Sequence, residues 1–573
     1  MVSSWSVIGI LLTGMLVVVG GVLWLRLHAF LALLLGALVV GVLTPSGRLE
    51  EYELDRARIP IRSLDAELGQ VTLGVGRTNA TRQGMPLAVL RRNAGSGRLD
   101  DVGELRVTGH ELRPANRPAG DGSAAKKPTQ VTLAEIAPES SISTLLPTDW
   151  VVSVSALASA RATVGSSVGE RIADAFGSTS GKIAILIAMA SIIGKCMLDS
   201  GAADRVVRTL IGAVGEKASP IAFYLGSFTL GIPVFFDTVF YLMIPLGKAM
   251  RLRTGKNYLL YVLATICGGT MAHSLVPPTP GPLFVAEALN VDLGVMIIAG
   301  CCVGLITSGS ALAMAFVYNR IWELPLRESP EMSLADMQKL ADTDESQLPP
   351  FWLSILPVVL PVVLIAGLTI AERYENIPAG WMSLLQAVGN KNIALVLSAA
   401  VAMLTLVLQK HSDLHKLANA VQASLASGGV IILITSAGGA FGTALQQTGV
   451  SQLIQSFPQS SPSVIITMAW LITAAIRTAQ GSATVAMITA VGVLAGFADG
   501  GSLGFHPVWL ALAIGCGSKP VAWMNDSGFW VITKMSGMTE AEGLRYITPM
   551  SILMGVVGLI VTVIGVTILP MTP

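Results

Sequence analysis

Between Leu230 and Phe284 the chain reads LGIPVFFDTVFYLMIPLGKAMRLRTGKNYLLYVLATICGGTMAHSLVPPTPGPLF. It is apolar enough to cross a bilayer, yet Pro and Gly interrupt it close to isolated polar groups. Asp237 is the only Asp, Glu, Lys or Arg between Lys217 and Lys248, and His273 is the only candidate charge between Lys256 and Glu287. A charge at bilayer mid-depth costs about 2.5 to 3.5 kcal/mol on insertion scales, so such groups face the protein interior or a wet cavity. Pro and Gly interruptions free backbone groups that lipid cannot satisfy. The stretch therefore calls for helices that break inside the protein around a polar pocket, as the binding sites of secondary transporters do.

The rest of the chain agrees with a membrane setting. Of 573 residues, 52% are hydrophobic and only 13% charged, which describes a polytopic membrane protein rather than a globular enzyme. The net charge of +1 gives no electrostatic basis for a nucleic-acid partner. Cys196, Cys267, Cys301, Cys302 and Cys516 lie in apolar stretches without CxxC spacing. They read as packing residues, and neither a disulfide framework, a metal site nor a cofactor is expected.

Residues 1–45 hold two apolar runs of spanning length, 5–25 and 28–44. Arg26 and His28 between them should stay cytoplasmic, which puts the N-terminus and the following segment outside. The first run lacks a basic flank and is followed at once by a second, so it is not expected to be a cleaved leader. Residues 46–150 are charged and balanced, with strand-like alternation at Gln70–Gly76 and a linker-like 114–129. They read as a small, β-rich soluble insert. Residues 151–321 return to membrane character, 322–350 form a charged connector, and 351–573 are membrane again. Apolar runs fall near 351–371, 387–409, 429–445, 462–476, 483–498, 507–518 and 547–569. Some are too short to span and suggest re-entrant hairpins, so about eleven to fourteen membrane segments are expected. Lys195 and Lys519 are expected near span ends.

An internal repeat links the two membrane regions. Gly194 and Gly442, Gly201 and Gly449, the Cys267-Gly268-Gly269 and Gly515-Cys516-Gly517 triplets, and Pro277 and Asn525 all stand 248 residues apart. The first two spans pair with 351–371 and 387–409 once the insert is set aside. Sequence alone does not say whether the repeats are inverted.

The second half supplies polar partners. No Asp, Glu, Lys or Arg occurs between Lys416 and Arg477; then comes Arg477-Thr-Ala-Gln480-Gly481-Ser482-Ala-Thr484. A Gly among hydroxyls at membrane depth lets a helix restart, and its free N–H groups can hold a carboxylate. Asn525-Asp526-Ser527 can cap a half-helix and still face a ligand. Each residue also has a plainer role open to it. Asp237 could pair with a buried cation and His273 could be a structural hydrogen-bonder. Arg477 could snorkel, Ser482 and Thr484 could bond their own backbone, and Asn525 and Asp526 could only cap.

With these motifs on the page, GIPVFFDTVFYLMIPL (231–246), HSLVPPTPGP (273–282), GGAFGTALQQTGV (438–450), RTAQGSATVAMITA (477–490), NDSGFW (525–530) and GKCMLDSGAADRV (194–206), the chain resembles the gluconate permease family, proton-coupled symporters of bacterial inner membranes. The resemblance covers nearly everything except 46–150. It implies an all-α polytopic fold of two inverted repeats with broken helices, and sugar-acid uptake with protons. Departures from the family pattern are Thr279 in place of His, Ser274 in place of Gly, Trp523 in place of a His before the Asn-Asp pair, Ser527 in place of Pro, and Thr238-Val239 in place of Val-Gly.

The expected substrate site comprises His273, Ser274, Thr279, Gly281, Arg477, Gln480, Gly481, Ser482, Thr484, Asn525 and Ser527, with half-helix N-termini near Pro280-Gly281, Gly481-Ser482 and Asn525-Ser527. Asp237 and Asp526 are the expected proton carriers. The expected partners are a small organic anion, protons and the lipid bilayer; self-association is left open. Two other readings compete: a symporter for another hydroxy acid or dicarboxylate, and a membrane sensor acting through 46–150. No HExxH, GxSxG or P-loop pattern occurs, so enzyme chemistry has no anchor.

Overall fold

The computed structural model describes residues 4–59, 61–65, 70–73, 82–93, 99–113, 129–136, 146, 148–215, 218–327, 348–372, 374, 377–409, 414–449, 461–499, 503–524 and 526–571. Most of the 114–129 and 322–350 segments, and Asn525, fall outside these residues. The chain divides into two compact units. One holds Met1–Thr13, Leu38–Ile172 and Ala444–Leu453; the other holds Gly14–Ala37, Ala173–Thr443 and Ile454–Pro573.

Two apolar helices open the chain, α1 (Ser4–Leu23) and α2 (Ala29–Leu43). Pro45 then caps α3 (Ser46–Ala57), and the chain bends by 103° between α2 and α3. Proline at the cap gives up an N–H that a helix start could not use. The first unit carries a six-stranded antiparallel sheet. Its strands are β1 (Ile61–Asp65), β2 (Gln70–Leu73), β3 (Pro86–Arg92), β4 (Leu99–Arg113), β5 (Thr129–Ile136) and β6 (Trp150–Ser153), in spatial order β1-β2-β5-β4-β3-β6. Leu87 and Val89 of β3 join one apolar cluster with Val71, Leu105 and Val151, while Ala88 and Leu90 join another with Leu54, Leu157 and Ala160. Leu54 belongs to α3, and Leu157 and Ala160 to α4 (Val154–Gly165). Because both faces of β3 are covered, its sequence is an unbroken apolar run rather than an alternating one. A two-pronged pair fixes the entry to β6: Arg91 donates to Asp149 from Nε at 2.8 Å and from Nη2 at 2.7 Å. Burial disfavours the Asp149 carboxylate, but Arg91 and the Leu146 N–H outweigh it and hold its pKa below the ordinary range.

The remaining helices are α5 (Val168–Asp199), α6 (Ala202–Val214), α7 (Ser219–Leu230), α8 (Phe236–Thr254), α9 (Tyr258–Leu275), α10 (Pro280–Ala288), α11 (Leu293–Ile321), α12 (Phe351–Ala371), α13 (Ala379–Gly389), α14 (Lys391–Gln409), α15 (Leu414–Gln447), α16 (Pro462–Gln480), α17 (Ala483–Asp499), α18 (Val508–Gly517), α19 (Ser527–Ser536) and α20 (Glu540–Ile568). Among the described residues, eight helical stretches are long and apolar enough to cross a membrane: α5, the α9–α10 run, α11, α12, α14, α15, α16 and α20. Three shorter apolar helices, within α1, α17 and α18, stand beside them. Several apolar runs thus end as half-length helices rather than full-length stretches.

Helix starts recur along the chain. Phe236 and Ala483, Pro280 and Ser527, and Leu293 and Glu540 each begin helices 247 residues apart, and α11 and α20 both have 29 residues. A packing contact recurs too. A methyl on Gly268 of α9 would overlap the Tyr224 carbonyl oxygen of α7, and a methyl on Gly517 of α18 would overlap that of Trp470 on α16. Glycine at each place lets two helix backbones touch. All five cysteines are free.

Candidate functional site

Three helix breaks in the second unit border one cavity of about 480 Å3. The first lies between α7 and α8. Phe235 caps α8 in an extended conformation without a side-chain cap bond, and Asp237 sits in the first turn. An acidic side chain there is favoured by the helix dipole, by about 0.3 to 1 kcal/mol. Phe235, Phe236, Asp237 and Thr238 all line the cavity. Among the described residues the Asp237 carboxylate makes no hydrogen bond or ion pair.

The second break lies between α16 and α17. Gly481 takes a left-handed φ of 83° and its N–H closes on Arg477 O at 2.9 Å, ending α16. Ser482 Oγ then accepts from Val485 N–H at 3.3 Å and caps α17. Ser482, Ala483 and Thr484 line the cavity.

The third break, between α18 and α19, is held by Arg477. Its Nε donates to Ser518 O at 3.0 Å, where α18 ends, and its Nη2 donates to Asp526, where α19 begins. Asp526 also accepts from Gly528 N–H at 2.9 Å as the cap of α19. Arg477 thereby ties together both ends of the break, and its Nη1 is buried without a partner. On α20, Ser551 Oγ accepts from Ala522 N–H at 3.0 Å and Thr548 Oγ1 donates to Ala522 O at 2.6 Å. Three helix N-termini, those of α8, α17 and α19, therefore meet one cavity. Each presents N–H groups without an intrahelical partner and a partial positive charge.

Of the residues expected from sequence, the structure gathers Asp237, His273, Arg477, Ser482, Thr484, Asp526 and Ser527 on the cavity wall. His273 lies against Phe235 with the rings tilted by 59° and their centroids 6.3 Å apart. The others sit elsewhere. Thr279 is turned onto its own break, donating to His273 O at 2.9 Å and Val276 O at 2.7 Å. Gly281 packs beneath the Met487 side chain of α17, so the start of α10 is a packing point and not part of the wall. Ser274 and Gln480 are buried behind the wall with side-chain polar atoms unpartnered. Gly481 shapes the turn without lining the cavity. Asn525 lies outside the described residues.

Lys519 corrects a sequence expectation outright. Instead of marking a span end, it is 7% exposed, lines the cavity and donates from Nζ to Thr270 O on α9 at 2.7 Å. Its surroundings hold the clue that could have found it: Pro520-Val-Ala-Trp-Met follows, too apolar for a loop leaving the protein. Thr270, Ser518 and Ser551 were also missed, because hydroxyls inside apolar helices carry no distinguishing pattern. The Thr238, Thr484 and Ser527 hydroxyls make no hydrogen bond among the described residues and stand available to a polar ligand. No grouping of three His, Cys, Asp or Glu side chains suited to a metal occurs among the described residues.

Residues 150–568 match the family model described as GntP family permease. The gluconate permease of Pseudomonas aeruginosa is 34% identical over 390 residues, covering 68% of this chain and 85% of that protein. The high-affinity gluconate transporter of Escherichia coli K12 is 29% identical over 398 residues, 68% of this chain and 86% of its own. The L-idonate transporter of the same organism is 28% identical, with coverages of 68% and 87%. The matched residues begin at 150, so they take in β6 but not β1 to β5.

Proposed function

The chain belongs to the GntP permease family, and on that premise we propose that it imports gluconate or a closely related sugar acid together with protons. It is a multi-pass inner-membrane transporter and not an enzyme. The observation that carries the finer reading is the meeting of three helix N-termini with a carboxylate that has no partner among the described residues, Asp237, on one cavity. Helix N-termini favour a bound carboxylate, and the free hydroxyls of Thr238, Thr484 and Ser527 suit a polyhydroxy chain.

Charge balance supports the proton. Arg477 and Asp526 offset one another, and Lys519 and Asp237 leave the wall neutral again. A bound organic anion adds one negative charge to a poorly solvated space, which is costly unless compensated. A proton on Asp237 restores neutrality. The loaded cavity with its proton and the empty cavity without it are then the two states of lowest charge, which couples one movement to the other. His273 and Asp526 border the same space and complete the polar wall.

The test is labelled gluconate uptake into proteoliposomes with an imposed pH gradient. Asp237→Asn should abolish uphill accumulation, because the loaded cavity no longer needs a proton, while exchange of labelled for unlabelled gluconate continues. Wild-type accumulation by the variant would reject the role of Asp237. A wild-type protein that ignores gluconate and accumulates another acid would move the substrate and leave the coupling argument in place.

A further inference from the structure

The cavity holds two cations, and their surroundings differ. Arg477 is engaged on two sides, by the Asp526 carboxylate and by Ser518 O. Its side chain is 5% exposed, and its bonds run to the two ends of the break between α18 and α19. Lys519, inside that break, has one hydrogen bond among the described residues, to the main-chain carbonyl of Thr270. Among the described residues no carboxylate oxygen lies within 4.0 Å of its Nζ. A buried ammonium bonded only to a neutral carbonyl is under-compensated, since burial of a charge is tolerated when it is paired. The cavity that it borders also receives three helix N-termini, whose dipoles favour an anion.

We infer that Lys519 is the residue that engages the substrate carboxylate, and that Arg477 is a positioning residue that holds the break in shape. This rests on the reading of the protein as a carboxylate importer and assigns the anion-binding cation within it. The ammonium has three donor protons and can meet the carboxylate without abandoning Thr270 O. Nη1, the unpartnered nitrogen of Arg477, is itself buried, and turning the guanidinium to present a donor to the substrate would pull it from Asp526 and leave that partly buried carboxylate without its cation, which makes Arg477 the costlier choice. The inference also explains why a lysine, a flexible point charge, stands in the break while the planar fork of an arginine does the bracing.

The experiment compares gluconate with gluconamide, its uncharged amide, by calorimetric binding to purified protein in nanodiscs. Wild type should prefer the carboxylate by about tenfold or more, the scale of one charge-assisted hydrogen bond. Lys519→Met should erase that preference, weakening gluconate by about tenfold or more while gluconamide shifts by less than about threefold. Lys519→Arg should restore the preference, since it returns the charge. If Lys519→Met weakens both ligands equally, or neither, the assignment is overturned. If wild type binds a different acid and not gluconate, the substrate reading falls, and the same comparison with that acid and its amide decides Lys519 by the same criteria. Should Lys519→Met fail to fold, Lys519→Gln against Lys519→Arg gives the same contrast in charge.

Discussion

The break between α9 and α10 and the break between α18 and α19 lead into helices that start 247 residues apart, at Pro280 and Ser527, yet they do opposite things. The first is short and closed on itself. Val276 to Thr279 are all buried, the Pro277-Pro278 bond is cis, and one hydroxyl, that of Thr279, shares its proton between two carbonyls that the helix end leaves open. The second is long and satisfied from outside. Arg477 comes from α16, Ser551 and Thr548 from α20, and Lys519 reaches out to α9. A break that supplies its own partners can be sealed by packing. One that borrows partners has to stay beside them, and polar groups collected for that purpose leave a cavity that a ligand can share. Of these two breaks, the one whose groups are satisfied from across the cavity is the one that lines it.

The largest effect should come from removing the borrowed partner. Arg477→Met leaves Asp526 without its cation and Ser518 O without its donor; losing one member of a fully buried pair costs about 3 to 5 kcal/mol, an upper bound for this partly buried one. Thermal unfolding in detergent should fall sharply. Adding Asp526→Asn should recover part of the loss, since the orphaned charge disappears with it. A variant as stable as wild type would mean that the open break holds its shape without Arg477, and the contrast between the breaks would fail.

Thr279→Val probes the closed break and should act on stability alone. It strips the donor from two buried carbonyls, a loss of about 1 to 3 kcal/mol. Because Thr279 does not line the cavity, gluconate affinity of the folded protein should stay within about threefold of wild type, less than one hydrogen bond's worth. A selective fall in affinity with unchanged unfolding would put the closed break back into the site.

These outcomes bear on what was legible in the sequence. The breaks themselves were, because Asp237, His273 and Arg477, each isolated in an apolar run near Pro or Gly, cannot all be buried along unbroken lipid-facing helices. Some helix limits were close, since the apolar run at 351–371 is α12 to the residue and 483–498 is α17 short of one, whereas 429–445 is only the second half of α15. Which break would be closed was not legible. HSLVPPTPGP and WMNDSGFW look equally polar, and only the three-dimensional arrangement turns Thr279 inward and leaves Ser527 on the wall. Lys519 was misassigned for a related reason. Position along a hydrophobic run predicts depth only when the chain goes on to leave the membrane, and here it turns back through Pro520. The sheet was visible at Gln70–Leu73, but β3 was not, because its two covered faces erase the period of two.

The smallest expected effect sharpens the comparison within the open break itself. Val521 has φ of 57°, in the left-handed region that a β-branched residue rarely enters. Its neighbours impose it: Ala522 is clamped through N–H and C=O by Ser551 and Thr548, while Lys519 is drawn the other way to Thr270. Such a conformation stores on the order of 1 to 3 kcal/mol when the surroundings over-determine it. Val521→Gly removes the steric strain but gives back roughly 0.5 to 1 kcal/mol through the freer unfolded chain. The net should be a gain of about 1 kcal/mol, read as a small rise in unfolding temperature. If the variant is instead destabilised, the borrowed partners do not force the backbone at Val521, and the open break is relaxed in the same way as the closed one.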